Sequence, residues 1–163
     1  MEIRDATVGD ADLLWRMLTY AASMPAGAQS VTEARSDPKL AFYVEGFLTK
    51  PGDLGVVAVL HGAPCGAAWV RLLDGPPQPS KVATRTEPEL AIGVDPDARG
   101  NGIGLGLLRA LALRARTQYP AIVLSVREEN PSRRLYERAG FVVVEQMINR
   151  VGGRSLAMRL ALS

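Results

Sequence analysis

The amino-terminal part of the chain carries one strand-like and one helix-like pattern of apolar residues. Apolar and polar residues alternate over positions 2–8, which predicts a short strand that is broken by Gly9. Asp10 stands where its side chain can cap a following helix. The apolar residues expected on the buried stripe of that helix are Leu13, Leu14, Met17, Leu18 and Ala21.

The middle of the chain predicts a loop, a helix and a hairpin. Positions 23–38 are rich in turn formers and predict a loop with at most a little helix, and positions 39–48 predict a second helix. Two β-rich runs, 55–60 and 66–73, then predict an antiparallel hairpin. Positions 74–88 contain several prolines and predict a long loop, which in a compact domain is often functional.

The second half alternates strands and helices. Positions 89–94 predict a strand, 103–116 an apolar helix and 121–126 a strand parallel to the first, which makes a βαβ crossover. A helix over 131–139 and two closing strands within 141–162 follow. The predicted order β-α-α-β-β-β-α-β-α-β-β indicates an α+β fold, with a mixed, mostly antiparallel β-sheet flanked by helices.

Composition limits the class of protein. With 163 residues, 47% of them apolar and 22% charged, the chain fits one globular domain over 1–163. A net charge of +2, scattered arginines and few aromatic residues argue against nucleic-acid binding. The sequence shows no signal core and no apolar run near the about 20 residues of a membrane span, so we expect a soluble, cytoplasmic protein without membrane contacts.

The single cysteine, Cys65, cannot form an internal disulfide. His61, the single histidine, lies nearby and leaves a nucleophile pair open, but the flanking Gly62, Pro64 and Gly66 favour a turn between two strands. The sequence has no cluster of His and Cys suited to a transition metal, and we therefore expect no metal cofactor.

A glycine-rich turn separates the strand at 89–94 from the helix that follows. Every second residue from Gly100 to Gly106 is a glycine, and glycine lets backbone approach a ligand closely. The first N–H groups of a helix lack intrahelical partners, and the helix dipole is positive there, so this turn predicts a phosphate or pyrophosphate site. Its spacing completes neither the dinucleotide fingerprint nor the nucleotide P-loop.

The turn carries the first of two family motifs. Arg99-x-x-Gly102-x-Gly104, preceded by a strand and opening a helix, resembles the [QR]-x-x-G-x-[GA] signature of the GNAT superfamily of acetyl-CoA-dependent N-acetyltransferases. The order of predicted elements resembles this superfamily over most of the chain, whereas the specific motifs lie in its second half.

The second motif covers positions 125–141. It resembles a second characteristic segment of the same superfamily, with Arg133 where a small residue is common. Asn130 and Gly140 also suit ordinary capping roles at the two ends of a helix. Capping does not account for Tyr136, a phenol placed between apolar neighbours.

The resemblance implies the acyl-CoA N-acyltransferase (GNAT) fold, with acetyl-CoA or another short acyl-CoA as co-substrate. In that superfamily the strand before the turn diverges from its parallel neighbour, and the pantetheine arm lies in the gap. The cofactor-binding residues implied here are Ile92, Gly93, Val94, Arg99, Gly100, Asn101, Gly102, Ile103, Gly104, Leu105, Asn130 and Tyr136.

The resemblance also implies a direct attack of a neutral amine on the thioester, with two catalytic residues. Tyr136 would protonate the departing CoA thiolate, and Glu89 would accept the proton of the amine, directly or through water. Glu87 and a chain of water molecules are alternatives to Glu89.

Function classes other than an acetyltransferase remain open from the sequence. A non-catalytic acyl-CoA-binding regulatory module could use the same fold, because fold does not determine function. A nucleotide-binding protein is a weaker alternative. The acceptor is expected to be a small-molecule or peptide amine, and the two closing strands could supply an edge for a homodimer.

Overall fold

The computed structural model describes residues 1–21, 30–72, 82–84, 86–148 and 153–162. In these ranges the strands are β1 (Glu2–Asp5), β2 (Leu54–Leu60), β3 (Ala63–Arg71), β4 (Glu89–Val94), β5 (Ala121–Arg127), β6 (Val142–Ile148) and β7 (Arg154–Ala161). The helices are α1 (Ala11–Leu18), α2 (Val31–Ser36), α3 (Pro38–Ala41), α4 (Ile103–Ala115) and α5 (Arg133–Ala139), with 3-10 turns at Val8–Asp10 and Pro96–Ala98.

The described strands form one seven-stranded sheet in the order β1-β2-β3-β4-β5-β7-β6. Neighbouring strands are antiparallel except for β4 and β5, which are parallel and joined through α4. The predicted α+β fold with a mixed, mostly antiparallel sheet is confirmed. Relative to the predicted order, the structure adds one short helix before the hairpin.

Two apolar layers cover the sheet. On one face the strands pack against α4, whose buried residues include Leu107 and Leu111. On the other face α1 and α2 cover Trp69 and the small residues Ala67 and Ala91. Small side chains on that face let α1 approach the centre of the sheet closely.

The two parallel strands separate soon after they meet. The register joins β4 to β5 at Glu89 and Val123 alone, although every residue of both strands is described. β4 remains paired with β3 as far as Val94, whereas β5 pairs with β7 along its whole length. A gap therefore opens beside the carboxyl end of β4, which is a favoured place for ligands in sheets with parallel strands.

The helix predicted over 39–48 is wrong beyond its first turn. α3 spans four residues, and turns follow it. The guanidinium of Arg71 on β3 donates hydrogen bonds to the carbonyl oxygens of Phe42 and Glu45, which a continuing helix would use itself. Gly46 has a left-handed φ of 66°, which also ends helical geometry.

Asp10 caps a different turn from the predicted one. Its carboxylate accepts hydrogen bonds from the backbone N–H of Thr7 at 2.7 Å and from the Arg4 guanidinium at 2.8 and 2.9 Å, and it makes no capping bond to α1. This arrangement is a capping box on the 3-10 turn at Val8–Asp10. The first strand consequently ends at Asp5 and does not reach position 8.

Other predicted boundaries need smaller changes. The hairpin turn is formed by His61 and Gly62, so β3 begins at Ala63 and not at Gly66. The loop predicted over 23–38 contains α2. Its residues 22–29, most of the loop predicted over 74–88 and the turn between β6 and β7 lie outside the described residues. Within the described part of the chain, no helix has the length and apolar character needed to cross a membrane.

Candidate cofactor and active site

A cleft of about 500 Å³ lies where β4 and β5 diverge. It is bounded by the end of β4, the turn that leads into α4, and one face of α5 with the residues before it. Every predicted cofactor-binding residue except Asn101 lines this cleft. The lining residues are Tyr20, Ile92, Gly93, Val94, Arg99, Gly100, Gly102, Ile103, Gly104, Leu105, Asn130, Pro131, Ser132, Leu135, Tyr136 and Arg138.

The glycine-rich turn has the backbone conformation that its sequence requires. Gly100 and Gly102 have φ angles of 86° and 74°, in the left-handed region that favours glycine. Gly102 is the N-cap of α4, and no described side chain caps this helix. Gly106 donates the first helical hydrogen bond, to Gly102, so the amides before it have no intrahelical acceptor. The opening of α4 therefore faces the cleft with the backbone donors that an anionic ligand would need.

Asn101 supports this turn from outside the cleft. Its side-chain amide donates a hydrogen bond to the carbonyl oxygen of Ala98 at 2.9 Å, which ties the turn to the preceding 3-10 segment. Arg99 donates from Nε to the carbonyl oxygen of Val94 at 3.3 Å and remains exposed. Arg99 therefore borders the cleft, whereas Asn101 stabilises the backbone of the turn through its bond to Ala98.

Gly104 sets the width of the cleft between α4 and α5. A Cβ atom at this position would lie 3.0 Å from the side chain of Leu135. The absence of a side chain therefore lets the two helices approach, and Leu135 forms part of the shared wall.

Tyr136 lies on α5 with its ring in the core and lines the cleft. Its side chain is 1% exposed and packs edge-on against Phe141, with ring centroids 5.9 Å apart. Burial raises the pKa of its phenol above the ordinary value, so the hydroxyl is held protonated. Gly140 ends the helix with a φ of 106° and directs Phe141 back onto Tyr136.

The sequence profile of the Acetyltransferase (GNAT) family matches residues 13–141. The chain belongs to this family. Its members are acetyltransferases, and the predicted family resemblance is confirmed. No curated protein sequence matches the chain significantly.

Solved structures agree with the GNAT fold. A ribosomal-protein-alanine N-acetyltransferase from Brucella melitensis is 23% identical, with 99% of this chain and 100% of that chain covered and a TM-score of 0.69. A phosphinothricin acetyltransferase from Sinorhizobium meliloti in complex with acetyl-CoA is 22% identical, with coverages of 99% and 88% and a TM-score of 0.71. A putative acetyltransferase from Salmonella typhimurium with acetyl-CoA is 21% identical, with coverages of 99% and 94% and a TM-score of 0.70.

Glu89 and Glu87, the two candidate bases, both lie outside the lining of the cleft. Glu89 is 2% exposed, and its carboxylate accepts a hydrogen bond from the hydroxyl of Tyr43. Burial and the charge of Glu89 raise the pKa of the Tyr43 phenol well above its usual value. Glu87 forms a two-point ion pair with Arg159, at 2.9 and 3.2 Å.

A buried ion pair fixes the region around Tyr43. Arg71 and Asp53 have side chains that are 1% exposed, and the guanidinium donates to both carboxylate oxygens at 3.1 and 2.8 Å. The indole N–H of Trp69 donates to the carbonyl oxygen of Tyr43 at 2.7 Å. Breaking such a buried pair would leave an uncompensated charge, so this cluster holds Tyr43 in place next to Glu89.

Sequence reasoning missed five residues that border the cleft, namely Tyr20, Pro131, Ser132, Leu135 and Arg138. Tyr20 falls within the predicted first helix but lies beyond the end of α1 at Leu18, and its place depends on how α1 meets the sheet. Leu135 and Arg138 are three residues apart on α5, and Ser132 precedes them by the same interval. This spacing, which places them on one face of a helix, was a signal that could have indicated them.

Cys65 has no features of a nucleophile. Its thiol is buried and donates to the carbonyl oxygen of Ala58 at 3.6 Å, and burial raises its pKa. Among the described residues, no group of three or more His, Cys, Asp and Glu side chains is placed to hold a metal ion.

Proposed function

We propose that this GNAT protein transfers an acetyl or other short acyl group from acyl-CoA to a primary amine by direct attack in a ternary complex. The observation that carries the proposal is the shared cleft, in which an uncapped helix opening lies opposite a buried, protonated Tyr136. One end of the cleft suits a pyrophosphate and the other suits a thioester.

The charges of the cleft favour an anionic ligand. Its lining contains Arg99 and Arg138 and no carboxylate, and the opening of α4 adds the positive end of a helix dipole. A polyanionic cofactor such as acyl-CoA matches this field. A cationic amine does not, so the acceptor is expected to enter from another side.

The edge of β4 that faces the gap supports binding of the pantetheine arm. β4 is paired with β5 only at Glu89, so those peptide groups between Ile92 and Val94 that point away from β3 face the cleft and not a neighbouring strand. An extended arm can pair with these groups as an added strand, and a backbone N–H there can polarise the thioester carbonyl. Donors of this kind are typically worth roughly 3–4 kcal/mol in the transition state.

Tyr136 is proposed as the general acid. The nitrogen of the neutral amine forms a bond to the acyl carbon, and the carbon–sulfur bond breaks as the tetrahedral intermediate collapses. The CoA thiolate leaves and takes the phenolic proton. A phenol with a raised pKa is protonated near neutral pH and is therefore available for this step.

Glu89 is proposed as the base that receives the amine proton. Because Glu89 is sealed from the cleft, the proton would travel through the hydroxyl of Tyr43 or through water. In the first route Tyr43 gives its own proton to Glu89 and takes the amine proton. Glu87 is a poorer candidate, because Arg159 neutralises its carboxylate.

The acceptor is proposed to be a small-molecule or peptide amine. The similar structures are named for different acceptors, a ribosomal-protein alanine in one and phosphinothricin in another. At identities of 23% and 22%, these structures show a shared fold and do not show a shared acceptor. A panel of polyamines, amino acids and peptides with free N-termini therefore has to identify the acceptor.

The edge of the sheet supports a homodimer. β6 is the terminal strand, and four of its large apolar residues are exposed, namely Val142, Val143, Val144 and Ile148. Unpaired edge strands with uncovered apolar residues favour pairing with another chain. Light scattering coupled to size exclusion would show twice the monomer mass, and substitution of Val144 with lysine should restore the monomer.

Release of free thiol tests the catalytic proposal. The protein is incubated with acetyl-CoA and each amine, and both free CoA and acylated amine are measured. Product with at least one amine supports the transferase. Tight CoA binding without turnover across the panel would favour the non-catalytic regulatory module. Absence of CoA binding would refute both the transferase and the regulatory module.

A further inference from the structure

A second groove, of about 380 Å³, lies between the second half of α4 and the end of α5, against the end of β7. It shares no lining residue with the cofactor cleft. Among the described residues its charged lining consists of Arg109 and Arg116, with no carboxylate. The rest of the lining is apolar and includes Leu113, Leu160 and Leu162. We call this site the α4–α5 groove.

The outer face of α4 supplies one wall of the α4–α5 groove. Arg109, Ala112, Leu113 and Arg116 all line it, at the i, i+3, i+4 and i+7 spacing of one helix face. Leu113 is 59% exposed, and it is the one exposed large apolar side chain in the described α-helices. The face is therefore apolar in its middle and carries an arginine at each end. A partner that covered Leu113 would remove apolar surface from water.

The two arginines are not used within the described part of the chain. Arg109 and Arg116 are both exposed, and neither guanidinium has a hydrogen-bond or ion-pair partner there. Arg114 of the same helix differs, because it binds the carboxylate of Asp5. With a rise of 1.5 Å per residue, Arg109 and Arg116 lie about 10.5 Å apart along the axis of α4. The groove thus fits an apolar ridge with two anionic groups at that separation.

A second copy of this chain does not supply such a ridge. In a symmetric, antiparallel contact between two copies of α4, Arg109 of one copy would face Arg116 of the other, and like charges repel. None of the described α-helices carries more than one carboxylate. The edge strand β6, which we propose as the dimer interface, does not line the groove. The complementary charges therefore have to come from another protein.

An amphipathic helix has the required geometry. Its apolar residues form a ridge at spacings of three and four, and two carboxylates seven residues apart match the separation of Arg109 and Arg116. We infer that the α4–α5 groove docks an acidic amphipathic helix of a partner protein. A concave groove suits a helix better than a flat membrane surface, and helix-in-groove docking is a recurrent mode of recognition. Leu113 lies about 15 Å from the opening of α4 along the helix axis, so the docked helix would leave the cofactor cleft open.

Selection from a displayed library of amphipathic helices tests the inference on the whole protein. The library randomises the apolar ridge and the positions that border it, and selected peptides are then labelled and titrated by fluorescence anisotropy. Selected peptides should carry Asp or Glu at two positions seven residues apart. The double variant Arg109→Ala/Arg116→Ala should bind them about tenfold more weakly, since each exposed ion pair contributes about two- to fivefold. Leu113→Ala should weaken binding about tenfold through lost apolar contact.

Matched controls change similar exposed side chains elsewhere. Arg134→Ala removes an exposed arginine of α5, and Val8→Ala shortens an apolar residue that is 66% exposed, and neither residue lines the groove. Both controls should leave peptide affinity within about twofold. Because every substituted side chain is exposed, all variants should unfold at the same temperature and bind CoA as the wild type does.

Reversal of charge provides the sharpest arm of the experiment. The double variant Arg109→Glu/Arg116→Glu should lose the acidic peptides and bind the same peptides with lysine in place of both acidic residues. Absence of any enriched helix, equal binding to the wild type and the groove variants, or failure of the lysine peptides to bind the reversed variant would overturn the inference. Vesicles of phosphatidylglycerol form the last arm. Tighter binding to these vesicles than to any selected peptide, lost in Leu113→Ala, would assign the face to a membrane and overturn the inference as well.

Discussion

Replacement of Tyr136 by phenylalanine removes one hydroxyl and leaves the buried ring in place. The ring is 1% exposed and packs edge-on against Phe141 at 5.9 Å, contacts that a phenyl group retains. The free energy of unfolding should therefore change by no more than about 1 kcal/mol. A loss of activity can then be assigned to the missing proton donor.

The expected loss is set by the chemistry of the leaving group. Positioned general acids contribute roughly 10²–10⁴-fold to rate. A thiolate is a moderately good leaving group, so we expect kcat to fall about 100-fold, at the low end of this range. Since the ring keeps its place in the lining of the cleft and only the hydroxyl is lost, the affinity for CoA should stay within about twofold. A large fall in kcat with an unchanged CoA affinity is expected for a general acid and not for a residue that only lines the binding site.

The pH profile provides an independent check. Burial raises the pKa of Tyr136 above its ordinary value of 10.0, and a folded-state pKa that is raised keeps the acid form present to higher pH. Ionisation of Tyr136 should therefore not lower kcat of the wild type below a pH of about 10. An alkaline fall well below that pH which disappears in Tyr136→Phe would contradict this assignment.

The assay follows thiol release from acetyl-CoA with an accepted amine, and calorimetry gives the CoA affinity. Tyr119→Phe is the matched control, because its buried hydroxyl donates to the carbonyl oxygen of Gly52 outside the cleft. That variant should lose stability and keep kcat. If Tyr136→Phe lowered kcat and CoA affinity by the same factor, or left kcat unchanged, the acid role would be refuted.

Three further changes test the base, the packing of α1 and the amino-terminal ion pair. Glu89→Gln should lower kcat at least tenfold with CoA affinity unchanged, since the amide can still accept from Tyr43. Gly93→Ala should lower the free energy of unfolding by about 1–3 kcal/mol and weaken CoA binding. The added Cβ would lie 2.9 Å from the carbonyl carbon of Met17 and would overlap the carbonyl oxygen. The pKa of Asp10 is lowered to about 2, chiefly by its hydrogen bond with Arg4. The free energy of unfolding of Asp10→Asn should therefore be about 2 kcal/mol lower than that of the wild type at neutral pH.

Each of these changes has a control in the same chain. Glu87→Gln should not alter kcat, and a larger effect there than at Glu89 would reverse the choice of base. Gly9→Ala should be neutral in urea unfolding, since a Cβ there makes an ordinary 3.6 Å contact. Asp12 is 98% exposed, so Asp12→Asn should be silent. The lowered pKa of Asp10 stabilises the fold above about pH 4 and this contribution disappears as the pH falls through about 2. A difference between wild type and Asp10→Asn that persisted below that pH would contradict the ion-pair explanation.

The conformation of the turn that we propose binds the cofactor could be predicted from the sequence because its determinants are local. Glycines at 100 and 102 are needed for left-handed φ angles within one turn, and the helix that follows supplies the amides. The same short segment therefore fixes both the backbone conformation and the chemistry. Asn101 is not among the lining residues, because its short side chain bonds to Ala98 within the turn, and its part in cofactor binding stays a prediction.

The helix expected over 39–48 failed for a non-local reason. Local propensity favours helix there, but Arg71 of β3 needs acceptors when it is buried and takes the carbonyl oxygens of Phe42 and Glu45. A buried guanidinium without full hydrogen bonding would cost more than the few helical bonds that are lost. The sequence signal was a charged residue inside an apolar strand, and its partner, Asp53, could be identified only once the hairpin was in place.

The acceptor half depends on contacts between residues that are distant along the chain. Tyr43 and Glu89 are 46 residues apart, and their hydrogen bond exists because Arg71 anchors the turn that carries Tyr43. From the sequence alone, the carboxylate of Glu89 at the start of β4 could equally well have been solvated. Glu87, two residues earlier, is partly exposed and pairs with Arg159. The same residue type two positions apart thus receives opposite environments from tertiary packing. Sequence spacing can nominate a candidate base in this fold, and only the tertiary structure shows that Glu89 is buried against Tyr43 while Glu87 is paired with Arg159.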